Sequence, residues 1–510
     1  MNSTGQAFPL RIGAEESFAA VRGFLTASGY SEQFLLDRFS LPSLHFLLYP
    51  LGQQGDEFRK RYQGPGLQLL LSRLLMGGYA ATETELAEHL PPRISDAMRD
   101  LGLLLPMEGE PPKFITPALV YPALGFFIAA DRGFYLEGVL GYRGSDYVMS
   151  GTEHVCRDYV DSLPLTACGR FLEIGTGSAL GALWASRTAG HVWATDITER
   201  AAHYARFNSR LNGAANFTVA KGDLFEPVKG LTFDRIACNP PFEPPLKRGL
   251  VFSVGGEDGE QIMKRLVEQA PRYLNPGGRL YMQVMGTNRE DESFDARIRK
   301  WLGEASAECD FALFARQVMQ PREYAIQQIL GENDDSWKLE EWSGFYKKLR
   351  AYEVVHGHLV IQRRESERPV FHAVRKFGPS SGLAAMEWLV DWETRCVQPG
   401  HEAFLMAARP VAGPAWELEV RHTLRQGKLA PIGYTMKTKA PFDVDLQIQP
   451  WIAATVARCD GSHTCANLLE WVRGNGALSG DEGPAEFVRA MNALIGCDFL
   501  RVEDAEQSRP

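Results

Sequence analysis

The sequence predicts an α/β fold built around a parallel sheet, and three observations predict it. Short apolar runs alternate with helical stretches between residues 170 and 290. A glycine-rich turn, Gly175-Thr176-Gly177, joins the first of these runs to a helix. The next three runs end at polar side chains: Asp196, Asp223 and Asn239. Strands alternating with helices build parallel sheets, and such sheets bind ligands beyond the carboxyl ends of their strands.

Each element has its own reason. Phe171-Leu172-Glu173-Ile174 is a buried strand, and the glycines after it let the backbone pass close to a ligand. The helix from Leu180 to Thr188 then offers free N–H groups at its start. His191 to Asp196 is a second strand, whose terminal acid suits a grip on ribose hydroxyls. Arg200 to Asn212 is helical. Asn216 to Gly222 is a third strand, closed by Asp223-Leu224-Phe225, an acid and apolar residues suited to an adenine amine and its ring. Phe233 to Cys238 is the fourth. It stops at Asn239-Pro240-Pro241-Phe242, because two prolines cannot continue a ladder. The turn presents one amide, backbone carbonyls and one aromatic face. A planar NH2 group donates well to the Asn239 side-chain oxygen and the Pro240 carbonyl, with Phe242 stacked on its flat face.

Gly175, Gly177 and Gly181 also fit a GxGxxxG spacing, and with Asp196 they suit a nicotinamide dinucleotide fold. Glu173 ahead of the glycines, Gly222-Asp223 after the third strand and Asn239-Pro240-Pro241-Phe242 after the fourth separate the two readings. The tetrapeptide resembles the N/D-P-P-Y/F motif of S-adenosylmethionine-dependent methyltransferases that act on planar nitrogens. Gly151-Thr152-Glu153-His154 occupies the place of the motif that precedes the cofactor loop in release-factor glutamine methyltransferases. Gly255-Gly256-Glu257-Asp258-Gly259, the helix Gln261 to Tyr273 and Asn275-Pro276-Gly277-Gly278 before a strand Arg279 to Val284 resemble the same enzymes. The Arg200 to Asn212 helix and the run Asp223 to Val228 resemble bacterial small-domain methyltransferases with N- and C-terminal extensions.

The resemblance implies a seven-stranded, Rossmann-like class I methyltransferase core with S-adenosylmethionine as cofactor. It implies cofactor binding by Glu173, Gly175, Thr176, Gly177, Asp196, Ile197, Asp223, Leu224 and Asn239. Catalysis falls to Asn239, Pro240 and Phe242. The chain departs from the glutamine enzymes in two places. Phe242 stands where tyrosine is usual, which leaves the substrate open. Ala179 stands where a third glycine is common, a change expected to be sterically mild.

At 510 residues the chain has room for two to four domains. Apolar content of 45% and charged content of 23% are ordinary for a soluble protein. No secretory signal and no long uncharged apolar run stand out, so a cytoplasmic protein without a membrane span is expected. The Phe114 to Ala130 stretch reads as a buried strand and helix. The eight cysteines show no CxxC and no metal-like spacing, so reduced core thiols and no metal site are expected. Cys238 is read as structural.

Three regions are expected. Residues 1–145 read as helical, and Glu83 to Val120 has the helix–turn–helix–strand rhythm of a winged helix. Between Asp56 and Lys113 there are seven basic and nine acidic residues, and the chain carries −9 overall. Phosphate binding needs a basic face, so a docking or homodimerisation unit is favoured over a DNA reader. Residues 146–365 form the catalytic domain, with strands at Asp310 to Val318 and His356 to Arg364 around a helical insertion, Pro321 to Arg350. Residues 366–510 form an α+β region with strands near Glu417 to His422 and Asp443 to Gln449. Its end, Asp460 to Leu500, is compatible with another winged helix. Trp342, Tyr346, Trp388, Trp392 and Trp416 are assigned to the core rather than to a cleft, and His203 to the surface.

Two function classes remain open. The first is an N-methyltransferase acting on an amide, guanidine, arylamine or nucleobase nitrogen of a protein, RNA or small-molecule acceptor. The second is a non-catalytic protein that senses S-adenosylmethionine or docks partners. Methyl transfer to oxygen or carbon of a small molecule is the alternative within the enzyme class.

Overall fold

A computed structural model describes residues 8, 10–44, 60, 62–107, 111–132, 142, 144–152, 154–246, 251–332, 338–379, 381–478 and 483–502. Packing divides the chain into two compact units, Met1–Asn275 and Pro276–Pro510. The expected boundaries after residues 145 and 365 fall inside these units.

The first unit opens with the helices Glu15–Ala27 and Glu32–Phe39, the second capped by the Ser31 hydroxyl, which accepts from the Phe34 N–H at 3.1 Å. Helix Leu67–Leu71 runs into a π-helical turn, Ser72–Gly77. Strand β1 (Ala81–Thr82) leads into helix Glu83–His89 through a Thr82/Glu85 capping box. Helix Pro92–Asp100 comes next, with proline in its first turn. Strands β2 (Leu105–Met107) and β3 (Lys113–Ile115) complete a three-stranded antiparallel sheet in the order β1-β3-β2.

The expected helix before Ala130 is absent. Strands β4 (Leu119–Ala123) and β5 (Phe126–Ala130) form a hairpin instead. Leu124 and Gly125 both take positive φ, 54° and 80°, the backbone that a tight two-residue hairpin turn requires. Pro122 removes a helical donor, and the aromatic residues around it fit a pleated surface better.

The parallel sheet lies beyond this hairpin in the chain. Strands β6 (Cys168–Ile174), β7 (Ala189–Asp196), β8 (Phe217–Lys221) and β9 (Phe233–Cys238) lie in the order β8-β7-β6-β9, all parallel. Helix Leu180–Ala185 joins β6 to β7, and helix Glu199–Leu211 joins β7 to β8. The strand order reverses at β6, where parallel sheets open a crevice for ligands.

The Glu199–Leu211 helix also anchors the N-terminal region. Arg22 donates to the Arg210 and Leu211 carbonyls at its last turn, at 3.2 and 3.3 Å. Phe18 meets Phe207 edge-on at 5.2 Å. His203 is half-buried rather than a surface residue: its Nε2 bonds to the Leu10 carbonyl at 2.9 Å, and Phe8 stacks on its ring. Two asparagines one helical turn apart act as a false strand against β5. Asn212 accepts from the Phe127 N–H and donates to the Phe127 carbonyl, each at 2.8 Å. Asn208 does the same with Ala129, and its amide also donates to the Ser178 carbonyl at 2.8 Å. Asn208 is fully buried. Asn208→Ala strands three buried backbone groups, so a loss of about 2–3 kcal/mol in unfolding free energy is expected by chemical denaturation. An unchanged midpoint would show that β5 is held by other contacts.

Helix Gln261–Gln269 is shorter than expected, because Pro271 turns its end into a 3-10 turn, Ala270–Arg272. Strand β10 (Leu274–Arg289) is longer than expected at both ends.

In the second unit, β10 pairs antiparallel with β12 (Ala351–Arg363), β12 with β11 (Cys309–Met319), and β11 runs parallel to β13 (His372–Lys376). β13, beside β11, is a strand not anticipated from the sequence. Helices Pro321–Glu332 and Lys338–Lys348 form the insertion, with Tyr324, Trp342 and Tyr346 buried together.

Farther on, helices Leu383–Cys396, His401–Ala407, Pro450–Val456, Cys465–Gly474 and Gly483–Gly496 enclose a core that includes Trp388 and Trp392, with Trp416 packed against it. Strand β14 (Val411–Ala412) pairs with the closing strand β18 (Leu500–Arg501). Strands β15 (Glu417–Arg425), β16 (Lys428–Thr438) and β17 (Val444–Ile448) form an antiparallel sheet, whose middle strand was not anticipated.

Candidate functional site

Strand register brings most of the predicted residues to one edge. Ile174 lies beside Thr195 and Cys238, and Asp196 beside Lys221. The segments starting at Gly175, Ile197, Gly222 and Asn239 therefore leave the sheet side by side, at the carboxyl ends of β6, β7, β8 and β9.

The loop after β6 is built on Glu173, which is buried. Its carboxylate accepts from the Tyr159 hydroxyl at 2.8 Å, the Thr176 hydroxyl at 2.5 Å and the Ala182 N–H at 2.9 Å. Gly181 makes room for it, since a Cβ there would collide with the Glu173 carboxylate. Gly175 and Gly177 adopt positive φ, 68° and 53°, and a Cβ at either would project into open space. Their backbone is thus open to a ligand. Ala179 takes φ 64° as well, so the missing third glycine is not mild: an L-residue in left-handed backbone costs roughly 1–2 kcal/mol.

Burial pushes the Glu173 carboxyl up to about 7, against the lowering effect of its hydrogen bonds. With the folded value raised above the unfolded one, the contribution to stability is complete below the ordinary value near 4.5 and disappears as pH rises to about 7. Stability should therefore fall across that window by roughly 3 kcal/mol more in the wild type than in Glu173→Gln. Equal slopes of unfolding free energy against pH in the two proteins would refute it.

Asp196 ends β7. Its Oδ2 accepts from the Gly177 N–H at 3.0 Å, and its Oδ1 accepts from the Thr198 N–H and hydroxyl at 3.0 and 3.1 Å. Burial raises its pKa, while these bonds work in the other direction. The acid thus ties the glycine loop to the next helix. Thr198 and Tyr159 were missed by sequence reasoning. Thr198 carries a readable signal, as the N-cap of the Glu199–Leu211 helix, where it accepts from the Ala201 N–H at 3.1 Å. Tyr159 carries none. Beside Asp196, Ile197 is an exposed large apolar residue.

Asp223 and Leu224 come after β8, with Leu224 at φ 49°. Asp223 forms an ion pair with Arg265 at 2.5 Å, both side chains being well exposed. Arg265, on the Gln261–Gln269 helix, was not foreseen. Phe225 is buried and stacks on Tyr273.

Asn239 and Phe242 are partly buried and Pro240 is buried. The segment after the prolines is clamped by the glycine-rich run at 255–259. The Glu243 N–H donates to the Ser253 carbonyl at 2.8 Å, and the Gly255 N–H returns to the Glu243 carbonyl at 2.9 Å. The Ser253 hydroxyl donates to the Glu243 carboxylate at 2.5 Å. A Cβ at Gly255 would lie 2.8 Å from the Phe242 Cα, and one at Gly259 2.8 Å from the Phe242 carbonyl oxygen. Those glycines let two backbones touch and so fix the direction in which the turn points. Cys238 is buried, and burial pushes its thiol well above the usual range, which removes thiolate chemistry from this position. All eight cysteines are free, and no metal-holding cluster occurs among the described residues. No described helix is long and apolar enough to cross a membrane.

Residues 154–307 match the family model described as methyltransferase small domain. The release factor glutamine methyltransferase of Xylella fastidiosa is 30% identical over 169 residues, covering 31% of this chain and 62% of that protein. A putative protein N5-glutamine methyltransferase of Methanocaldococcus jannaschii is 33% identical over 131 residues, covering 24% of this chain and 66% of that protein. The chain thus spans less than two thirds of the length of the relatives it matches. A solved methyltransferase structure from Pyrococcus furiosus is 21% identical over 46% of this chain and 92% of that one, with a TM-score of 0.28.

Proposed function

We propose that this chain is an S-adenosylmethionine-dependent methyltransferase acting on a planar nitrogen, with the side-chain amide of a protein glutamine as the favoured acceptor. The observation that carries the reading is Asn239-Pro240-Pro241-Phe242. This turn leaves the sheet beside the glycine loop, and backbone pairing between Glu243 and residues 253–255 holds its far end. The family match and the names of the relatives support the same reaction.

The residues fit the cofactor. Open space over Gly175 and Gly177, with Thr176 between them bonded to Glu173, suits its methionine end. Asp196 Oδ2, which accepts from the Gly177 N–H, has room for a further bond from a ribose hydroxyl, whereas Oδ1 already accepts twice from Thr198. Ile197 and Leu224 offer apolar cover for a flat ring, and Asp223 an acceptor for an exocyclic amine. When bound, S-adenosylmethionine supplies an electrophilic methyl group.

The chain's own task is then mostly positional. Asn239 Oδ1 and the Pro240 carbonyl accept the two hydrogens of the target NH2, which turns the nitrogen lone pair out of conjugation. Phe242 packs on the planar group. As positive charge grows on nitrogen, both acceptors hold it more strongly than they hold the ground state. A positively charged amide nitrogen is acidic, so its proton can leave late to water and no histidine base is needed.

In this reading residues 146–365 are catalytic, and the regions 1–145 and 366–510 select a macromolecular acceptor. The two helices and three short strands of residues 81–115 support a winged-helix reading of the first region. Free cysteines throughout suit a reducing cytoplasm. The test is incubation with labelled cofactor and a lysate separated into protein, RNA and small molecules. Label in protein, located by mass spectrometry on a glutamine side chain, is the expected result. A methyl group on carbon or on an aliphatic hydroxyl would defeat the planar-nitrogen assignment.

A further inference from the structure

β15 and β16 extend past the core as a two-stranded ribbon. At its base Met436 is fully buried, and Leu446 and Ile448 of β17 pack against the same core. β17 pairs with β16 between Tyr434 and Thr438 and no farther. Beyond that point both strands are solvent-exposed, yet they keep large apolar side chains. Leu424 is 70% exposed and Leu429 74%, and they face each other across the ribbon.

The ribbon has two free edges, and they differ. The distal part of β16 contains Pro431, which has no N–H to offer another strand. β15 has no proline along its nine residues, and among the described residues nothing pairs with its outer edge. Its sequence is Glu417-Leu418-Glu419-Val420-Arg421-His422-Thr423-Leu424-Arg425. Side chains alternate between faces, so Leu418, Val420, His422 and Leu424 share one face and the charged residues the other. Glu417 and Arg425 sit at opposite ends, and neither has an ion-pair partner among the described residues.

We propose that β15 pairs antiparallel with β15 of a second copy of this chain, about a two-fold axis through Arg421. In that register Glu417 faces the partner's Arg425 and Leu418 faces the partner's Leu424. Glu419 then faces the partner's Thr423. Each pair occurs twice, as an isologous interface requires. Glu417 and Arg425 are matched, and the leucines meet on one face with Val420 against the partner's His422. Arg421, which also lacks an ion-pair partner among the described residues, meets its own copy at the axis. The central arginines tolerate the axis because each lies back across its own hairpin. A Cβ at Gly433 would stand 3.0 Å from Arg421 Nη2, so the guanidinium covers that glycine. The pairing turns two ribbons into one four-stranded sheet and covers an edge that would otherwise be open. It stands independently of the methyl-transfer reading, since its test reads mass and cross-links rather than turnover.

The experiment is light scattering on the purified full chain at tens of micromolar, with single and paired substitutions. A mass of twice the chain is expected. Arg421→Cys should oxidise to a disulfide-linked dimer, because a residue on the axis faces itself at a Cα separation of about 4.5–5.5 Å, within disulfide reach. Glu417→Cys alone should not, and neither should the wild type. Glu417→Arg should weaken dimerisation about tenfold, and adding Arg425→Glu should restore it. A monomer under these conditions overturns the proposal. So does a dimer in which Arg421→Cys stays reduced and the charge swap restores nothing. A monomer that binds RNA through Arg421, Arg425 and Lys428 also overturns it and gives the ribbon to nucleic acid.

Discussion

Asn239→Ala is expected to lower turnover about a hundredfold to a thousandfold, while cofactor affinity changes far less. The side chain sits at the end of β9 on a turn whose direction the prolines and the Gly255 and Gly259 contacts fix. Alanine therefore removes an acceptor without releasing the turn. The lost interaction is one that strengthens as charge develops on the target nitrogen, so kcat falls rather than KM rising. Asn239→Asp should be milder, since a carboxylate still accepts from NH2 and offsets positive charge. Phe242→Ala should raise the substrate requirement, and Phe242→Tyr should be tolerated. Steady-state kinetics on the acceptor found in the lysate screen, with calorimetry for the cofactor, separates these effects. Equal losses in cofactor binding and turnover would return Asn239 to a structural role.

Asp196→Ala is expected to weaken S-adenosylmethionine binding by roughly tenfold to a hundredfold, since charge-assisted bonds are worth about 1.5–3 kcal/mol each. The same carboxylate holds the Gly177 N–H and Thr198. Part of the loss will therefore come from a looser glycine loop rather than from missing ribose contacts. Thr198→Val isolates that part, because it disturbs the support while leaving the acid. Calorimetry should show a smaller loss for Thr198→Val than for Asp196→Ala. Unchanged affinity in Asp196→Ala would remove this acid from the site, and tight NAD binding by the wild type would revive the dinucleotide reading.

The four parallel strands were legible because each is an apolar run closed by a residue with its own chemistry. Glycine, aspartate and proline mark ends more sharply than periodicity marks interiors. The Phe114 to Ala130 stretch misled for the converse reason. Its turn is Leu124-Gly125, and a leucine in left-handed backbone gives no warning in sequence. β16 escaped notice because Pro431 and Gly433 interrupt its pattern, although it stays paired to β15 on both sides of a register shift there. Asp196 was legible as an acid at a strand end, but its grip on the glycine loop was not. That grip depends on the register between β6 and β7. His203 looked like a surface residue because its partners, Leu10 and Phe8, are nearly two hundred positions away. Ala179 looked harmless because side-chain size is visible in sequence and φ is not.

The asparagine pair on the Glu199–Leu211 helix bears on how this chain can be cut. Asn208 and Asn212 occupy the edge of β5 as a neighbouring strand would, and Asn208 reaches the loop that carries Gly175 and Gly177. A fragment beginning at residue 146 contains the whole region the family model covers, residues 154–307, yet it leaves this helix with two bare amides and exposes Phe207 where Phe18 had covered it. Such a fragment should express as an insoluble or aggregating species. Deletion series aimed at a minimal enzyme must keep Glu15–Ala27 and the β4–β5 hairpin.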